Sequence, residues 1–174
     1  MATSNVSELP IKSKRSLDLK LRQATVTNLN FSPEKSGKEF VERVDLDIKF
    51  RVMDMDVDEI VNTKGNPLKL LWANDGGLMF RELEMLTLNF EAEGMFEIGL
   101  SDDRLLTFEN AKIRKFKVYP YINRQAEIKC QVRIDPTGHL EELGRIRIHQ
   151  DCVLSFNGYG VDKGKNKDQG TLEV

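Results

Sequence analysis

The sequence has few of the features that would narrow its function. It contains two cysteines, Cys130 and Cys152, which are too few for a disulfide framework and favour a reducing compartment. No run of about 18 apolar residues occurs, so the sequence predicts no membrane span. The first residues are polar and lack an apolar signal core. We therefore expect a cytoplasmic protein.

Residues that bind metals or carry out catalysis are also sparse and poorly spaced. Cys130, His139, His149 and Cys152 lack the short paired spacing of zinc ligands. We expect His149 and Cys152 to lie on opposite faces of one strand, which excludes a catalytic dyad. The acidic segment at 54–65 reverses the Gly and Glu positions of a calcium loop, and no phosphate-binding glycine loop is present. The sequence predicts a non-enzymatic protein without a metal or cofactor.

The net charge of −2 conceals an uneven distribution. Residues 42–109 hold sixteen acidic and seven basic side chains, a difference of −9, whereas both flanks are net positive. Such an acidic block is typical of proteins that mimic nucleic acid or dock a basic partner. In the alternative interpretation, the sheet interleaves these segments and the charges simply face solvent.

Three regions differ in their residue patterns. Residues 1–16 mix Ser, Lys and Pro without periodicity and predict a flexible N-terminal arm. Residues 17–156 predict one β domain, because period-2 alternation dominates there. Residues 157–174 are rich in Gly and Lys and predict a flexible polar tail.

Alternation is clearest in "VDLDIKFRV" at 44–52 and "EIKCQVRI" at 127–134. In "RIRIHQDCVLSF" it predicts a strand that buries Ile146, Ile148, Cys152, Leu154 and Phe156. Weaker strands are predicted at 17–31, 84–91, 94–100, 104–108 and 112–119.

Two short helices are predicted, one at 57–62 and one in "TGHLEEL", which we expect to end at Gly144. The predicted fold class is all-β and mainly antiparallel, a β-sandwich or partly open barrel of about eight strands.

The segment "KIRKFKVYPY" at 112–121 combines four basic side chains with three aromatic rings. The apolar positions expected to face the core are odd-numbered at Ile113 but even-numbered at Phe116. This change predicts a β-bulge around Arg114–Lys115. Basic strands with aromatic rings are typical of proteins that bind single-stranded nucleic acid, although exposed strands also carry Lys and Arg merely to prevent edge pairing. The predicted binding residues are Lys112, Arg114, Lys115, Lys117, Tyr119, Tyr121, Arg124, Lys129 and Arg133.

The order of these segments resembles a family of small β-rich proteins in temperate phages and prophages. The resemblance covers about residues 17–156 and includes "FSPEKSGKE" at 31–39, "VDL" at 44–46 and "EELG" at 141–144. "LMFREL" at 78–83 departs slightly from the Leu-Arg-Phe order of that family. The family has no assigned activity, but it travels with replication and recombination genes. The resemblance therefore implies a nucleic-acid accessory role in an infected bacterial host, by association.

These observations lead to a main hypothesis and two alternatives. The main hypothesis is a phage accessory protein that binds single-stranded nucleic acid during replication or recombination. The first alternative is a protein-interaction module or an inhibitor of a host enzyme or defence factor, because the acidic block favours a basic partner. The second is a protein that binds a small nucleotide. The sequence predicts no membrane partner and does not indicate an oligomeric state.

Overall fold

The structure is a computed structural model that describes residues 16–53 and 71–161. This part of the chain forms seven antiparallel strands and one helix, which confirms a mainly antiparallel all-β fold. The predicted helix at 57–62 lies outside the described residues. The elements are β1 (Ser16–Ser36), β2 (Glu39–Met53), β3 (Leu86–Leu88), β4 (Ala92–Gly99), β5 (Leu106–Tyr121), β6 (Gln125–Ile134), α1 (Leu140–His149) and β7 (Asp151–Gly160).

Six of the strands form a closed ring of hydrogen-bonded neighbours. The order is β5-β4-β7-β1-β2-β6, and β6 pairs back with β5, while β3 adds to β5 outside the ring. The first strand and the last described strand are therefore neighbours, and Ser16 lies opposite Tyr159. Because the ring closes, the architecture corresponds to the barrel alternative and not to two separate sheets.

The interior of the ring holds the hydrophobic core. The alternate positions of β2 that were predicted to face inward, from Val44 to Val52, are all at most 3% exposed. Period-2 alternation therefore identified the buried face of this strand correctly. The largest fully buried side chains are Phe96, Phe116, Phe156, Leu17, Leu19, Leu46, Ile48, Ile98, Ile113 and Ile128.

Strand β5 is long and irregular. Two separate strands were predicted at 104–108 and 112–119, but β5 is continuous from Leu106 to Tyr121. Asn110 and Lys115 adopt positive φ angles of 55° and 56°, which let the strand bend without ending. One edge of β5 pairs first with β4 and then with β3, and its other edge pairs with β6.

The strand predicted at 145–156 is wrong in its first half. Helix α1 continues through Gly144 to His149, so Ile146 and His149 lie on a helix. Leu143 and Ile146 are buried at a helical spacing of three, whereas Ile148 is 79% exposed. The argument that His149 and Cys152 share one strand was therefore also wrong, and only the second half of the segment forms β7.

The predicted tail begins too early. Strand β7 continues to Gly160, and residues 157–160 pair with β4. Gly94 and Gly158 lie directly opposite each other, and a Cβ atom on Gly158 would overlap the carbonyl oxygen of Glu93. These glycines permit a close approach of two backbones, whereas the sequence analysis placed Gly158 in the predicted tail.

Candidate nucleic-acid interface

Three lysines from neighbouring strands form a row on the outer face of the barrel. In the β5–β6 register Lys117 lies opposite Lys129, and in the β2–β6 register Lys49 lies opposite the same Lys129. Neighbouring strands lie about 4.8 Å apart, so the three Cα positions span about 10 Å. We call Lys49, Lys117 and Lys129 the lysine row.

The predicted β-bulge positions Lys117 in this row. The β5–β6 register shifts between Arg114 and Lys117, and Lys115 has a positive φ, which confirms the bulge. Phe116 and Val118 are at most 1% exposed, so Lys117 between them faces outward. Lys115 is also exposed.

The positive charges of the row are poorly compensated. Within residues 16–53 and 71–161, no acidic side chain forms an ion pair with Lys49 or Lys117. The Lys129 Nζ atom lies 3.8 Å from the Glu127 Oε1 atom and 4.5 Å from the centroid of the Tyr119 ring. Like charges directly opposite each other destabilise a sheet. Lys49 and Lys117 therefore each lie opposite a like charge without an acidic partner in the described part of the chain.

Two other predicted residues, Arg114 and Arg133, belong to a compensated network. Arg133 donates hydrogen bonds to Asp45 through Nε at 2.8 Å and through Nη2 at 2.9 Å. Arg114 Nη2 lies 3.6 Å from Asp45 Oδ1 and donates to Gln131 Oε1 at 3.0 Å. Ser32 Oγ donates to Asp45 Oδ2 at 3.0 Å. We call Ser32, Asp45, Arg114, Gln131 and Arg133 the Asp45 network.

The electrostatics of this network favour the charged forms. Burial raises the pKa of the Asp45 carboxyl, but hydrogen bonds from Arg133 and Ser32 outweigh burial and hold the pKa below its usual value. The hydrogen bond to Asp45 raises the pKa of Arg133. Lys112 is similarly paired, because its Nζ lies 3.6 Å from Glu34 Oε1. At this end of the strands the cations are matched by anions.

Tyr121 and Arg124 lie at the turn between β5 and β6. Arg124 donates from Nη2 to the carbonyl oxygens of Ala73 at 3.4 Å and Asn74 at 3.2 Å. The main-chain carbonyl of Tyr121 accepts a hydrogen bond of 2.7 Å from the Trp72 indole. These contacts hold the turn against the loop that precedes β3, while the Tyr121 residue remains 44% exposed.

The sequence interpretation missed a groove of mixed charge beside the lysine row. The groove has a volume of about 710 Å³, and its lining includes Lys49 and Arg51 from β2 together with the acids Glu127 and Asp151. Alternation along β2 predicts that Lys49 and Arg51 face outward. It does not predict that they lie beside β6, because no local signal shows that β2 pairs with β6.

The lysine row thus combines Lys117 and Lys129, which were predicted to bind, with Lys49, which was not. The structure places Lys115, Lys117, Tyr119 and Lys129 in or beside this row. It places Lys112, Arg114 and Arg133 among acidic partners at the other end of β5 and β6. An open row of lysines can bind a phosphate backbone but does not read base sequence.

Neither cysteine is available as a nucleophile or ligand. Cys130 and Cys152 are both buried, and burial raises the pKa of each thiol to about 12. Within the described ranges, no three His, Cys, Asp or Glu side chains cluster closely enough to hold a metal ion. No helix in the same ranges is long and apolar enough to cross a bilayer.

Comparison with known proteins gives no relative from which a function could be transferred. No family model, no curated protein and no solved structure matches this chain. The resemblance to phage proteins therefore stays a prediction. The candidate surface is supported by the arrangement of its residues alone.

Proposed function

We propose that this protein is a non-enzymatic binder of single-stranded nucleic acid and that the lysine row contacts the phosphate backbone. The observation that carries the proposal is the direct juxtaposition of Lys49, Lys117 and Lys129 across three neighbouring strands. A row of like charges lowers the stability of the free protein. An anionic ligand would relieve the repulsion between these charges, which favours binding.

Aromatic side chains beside the row favour a single strand over a duplex. Tyr119 and Tyr121 alternate along β5 on the same outward face as Lys117. The Lys129 ammonium lies against the Tyr119 ring, so we assign Tyr119 the role of positioning that lysine. Tyr121, which is 44% exposed, is the better ring for stacking on a base. Stacking of this kind contributes about 1–3 kcal/mol per base.

The expected recognition is independent of base sequence. Lysine side chains are flexible and act on phosphates as point charges, so they position a strand without reading base edges. The resemblance to phage proteins suggests replication or recombination as the setting for such a protein. We propose this accessory role together with the binding activity.

The test is fluorescence anisotropy of a labelled single-stranded oligonucleotide titrated at about 50 and 200 mM salt. We compare the wild type with a Lys117→Gln, Lys129→Gln double variant. Each lost phosphate contact should lower the salt slope by about 0.7, and hence by about 1.4 for both. The matched control is Lys35→Gln, Lys38→Gln, which removes two exposed charges near the tip of the β1–β2 hairpin and should leave binding unchanged.

Stability provides an independent check on the variant. Removal of Lys117 and Lys129 relieves like-charge repulsion but also removes the Lys129 contacts with Glu127 and Tyr119, so the stability of the double variant should stay within about 1 kcal/mol of the wild type. Weaker binding without loss of stability supports a binding role for these lysines. Absence of binding at the lower salt concentration, or an unchanged slope in the double variant, contradicts the proposal. A pull-down for a host protein is then the next experiment.

A further inference from the structure

The outward-facing side chains of β5, β6 and β2 lie in rows that run across the three strands. Four positions along the strands from the lysine row, the register places Gln125 opposite both Tyr121 and Met53. Tyr121 and Met53 are 44% and 42% exposed, and Ile122 in the adjoining turn is 65% exposed. We call Met53, Tyr121 and Ile122 the apolar end of this face.

Hydrogen bonds hold the backbone of the apolar end in place. The Trp72 indole donates to the carbonyl oxygen of Tyr121 at 2.7 Å, and the amide of Asn123 donates to the carbonyl oxygen of Gly76 at 2.9 Å. The backbone is therefore anchored on both sides of Ile122. An apolar surface that is held in this way loses little conformational freedom when a ligand binds to it.

The side chains on the opposite side of the lysine row are polar and bind one another. In the first row on that side, Gln131 Nε2 donates to Asp47 Oδ1 at 3.0 Å, and Arg114 Nη2 donates to Gln131 Oε1 at 3.0 Å. None of these three side chains is apolar, and each already has a partner. The two sides of the lysine row therefore differ, and apolar contact with a base is favoured on the side of the apolar end.

The row between the lysines and the apolar end does not attract a phosphate. Glu127 lies opposite Arg51 in this row, so their charges cancel, and its third residue is Tyr119. Phosphates are therefore favoured at the lysine row. The lysine row and the apolar end lie about 13 Å apart, since each residue advances a strand by about 3.3 Å. Long lysine, tyrosine and methionine side chains and one nucleotide together bridge this distance.

We propose that the apolar end contacts the bases of the bound strand, so that the protein selects nucleic acid over polyanions that lack bases. This inference rests on the proposed function, because the lysine row holds the phosphates. Tyr121 stacks on a base, and Met53, whose thioether is flexible and polarisable, packs against the same ring system. Every base has a π face, so this contact requires a base without reading its identity.

The experiment compares labelled oligothymidylate with an abasic chain of the same length and number of phosphates, by fluorescence anisotropy at about 50 mM salt. The wild type should bind oligothymidylate about tenfold tighter. The Tyr121→Ala, Met53→Ala variant should bind both chains with the wild-type affinity for the abasic chain, which also shows that the variant is folded. The matched control, Tyr159→Ala, removes a tyrosine that is 59% exposed on β7 and should keep the preference.

The outcomes separate this inference from the proposed function. The Lys117→Gln, Lys129→Gln variant should bind both chains more weakly and keep the preference for oligothymidylate. If the wild type binds both chains equally, base contact is refuted and binding through the lysine row stands. A preference that survives in the Tyr121→Ala, Met53→Ala variant also refutes the inference, because the bases then lie elsewhere.

If neither chain binds to the wild type, the proposed function and this inference fail together. Analytical ultracentrifugation then tests the other occupant of the apolar end, a second copy of the chain. Self-association of the wild type that is lost in the Tyr121→Ala, Met53→Ala variant would assign the apolar end to that contact, which also overturns base contact.

Discussion

The Asp45 network offers the sharpest test of how the described structure is stabilised. Asp45 is 6% exposed and accepts two hydrogen bonds from Arg133 and one from Ser32, all within 3.0 Å. Asp45→Asn preserves the shape of the side chain but removes its charge. Breaking a fully buried ion pair costs about 3–5 kcal/mol. The Arg133 side chain keeps 18% exposure, so water offsets part of this cost, and we expect a loss of about 2 kcal/mol.

Thermal unfolding followed by circular dichroism measures this loss. For a chain of this size, about 2 kcal/mol corresponds to a decrease in Tm of about 4–8 °C at pH 7. The matched control is Asp102→Asn in the loop before β5, where the aspartate is exposed and the expected change is within about 0.5 kcal/mol. A Tm for Asp45→Asn equal to that of the control would refute the stabilising role of the network.

The pH dependence supplies a second criterion. Burial raises the pKa of Asp45, yet the hydrogen bonds from Arg133 and Ser32 bring it below the ordinary value. A carboxylate whose native pKa is lowered stabilises the fold above its unfolded pKa, and this contribution is lost as the pH falls through the native pKa. The difference in stability between the wild type and Asp45→Asn should therefore shrink as the pH falls below about 4. A difference that stays constant down to about pH 2 would mean that ionisation of Asp45 is not its source.

Two further predictions concern the backbone and the thiols. Gly158→Ala should destabilise the fold by about 2 kcal/mol or more, because its Cβ atom would overlap the carbonyl oxygen of Glu93; urea denaturation measures this, and wild-type stability would contradict the close strand approach. Cys130 and Cys152 should resist alkylation by iodoacetamide at about pH 8 in the native protein and react only after unfolding, because burial raises each thiol pKa to about 12. Mass spectrometry counts the modified thiols, and rapid labelling under native conditions would contradict their burial.

The fold class can be predicted from local patterns in the sequence, above all the alternation of apolar and polar residues. Alternation in β2 predicts both a strand and its buried face, because a strand with one face in the core has an apolar side chain at every second position. The same rule fails at Ile146 and Ile148, which have the spacing of a strand but lie on a helix. The buried residues there are Leu143 and Ile146, which have a helical spacing of three. A segment this short does not distinguish the period of a helix from the two-residue period of a strand.

The candidate site shows a different limit. Parity predicted that Lys117 and Lys129 face outward and that a bulge precedes Lys117. The partner of Lys129 on β2 was not predictable, since strand pairing between distant segments has no local sequence signal. For the same reason the sequence does not reveal that Arg133 pairs with Asp45, 88 positions earlier. The acidic block at 42–109 is therefore partly neutralised by basic residues outside it, and it contributes Lys49 to the basic surface.

Closure of the ring by β1 and β7 has a consequence for synthesis of the protein. Thr25 and Asp151 lie 126 positions apart in the chain, so β1 must wait for its second neighbour until β7 leaves the ribosome. At about 5–20 residues per second this delay is about 6–25 s. During that time β1 and β4 each present an unpaired edge, which is a template for association with other chains. We therefore expect a nascent chain that lacks β7 to depend on chaperones, and ring closure to be a late step of folding.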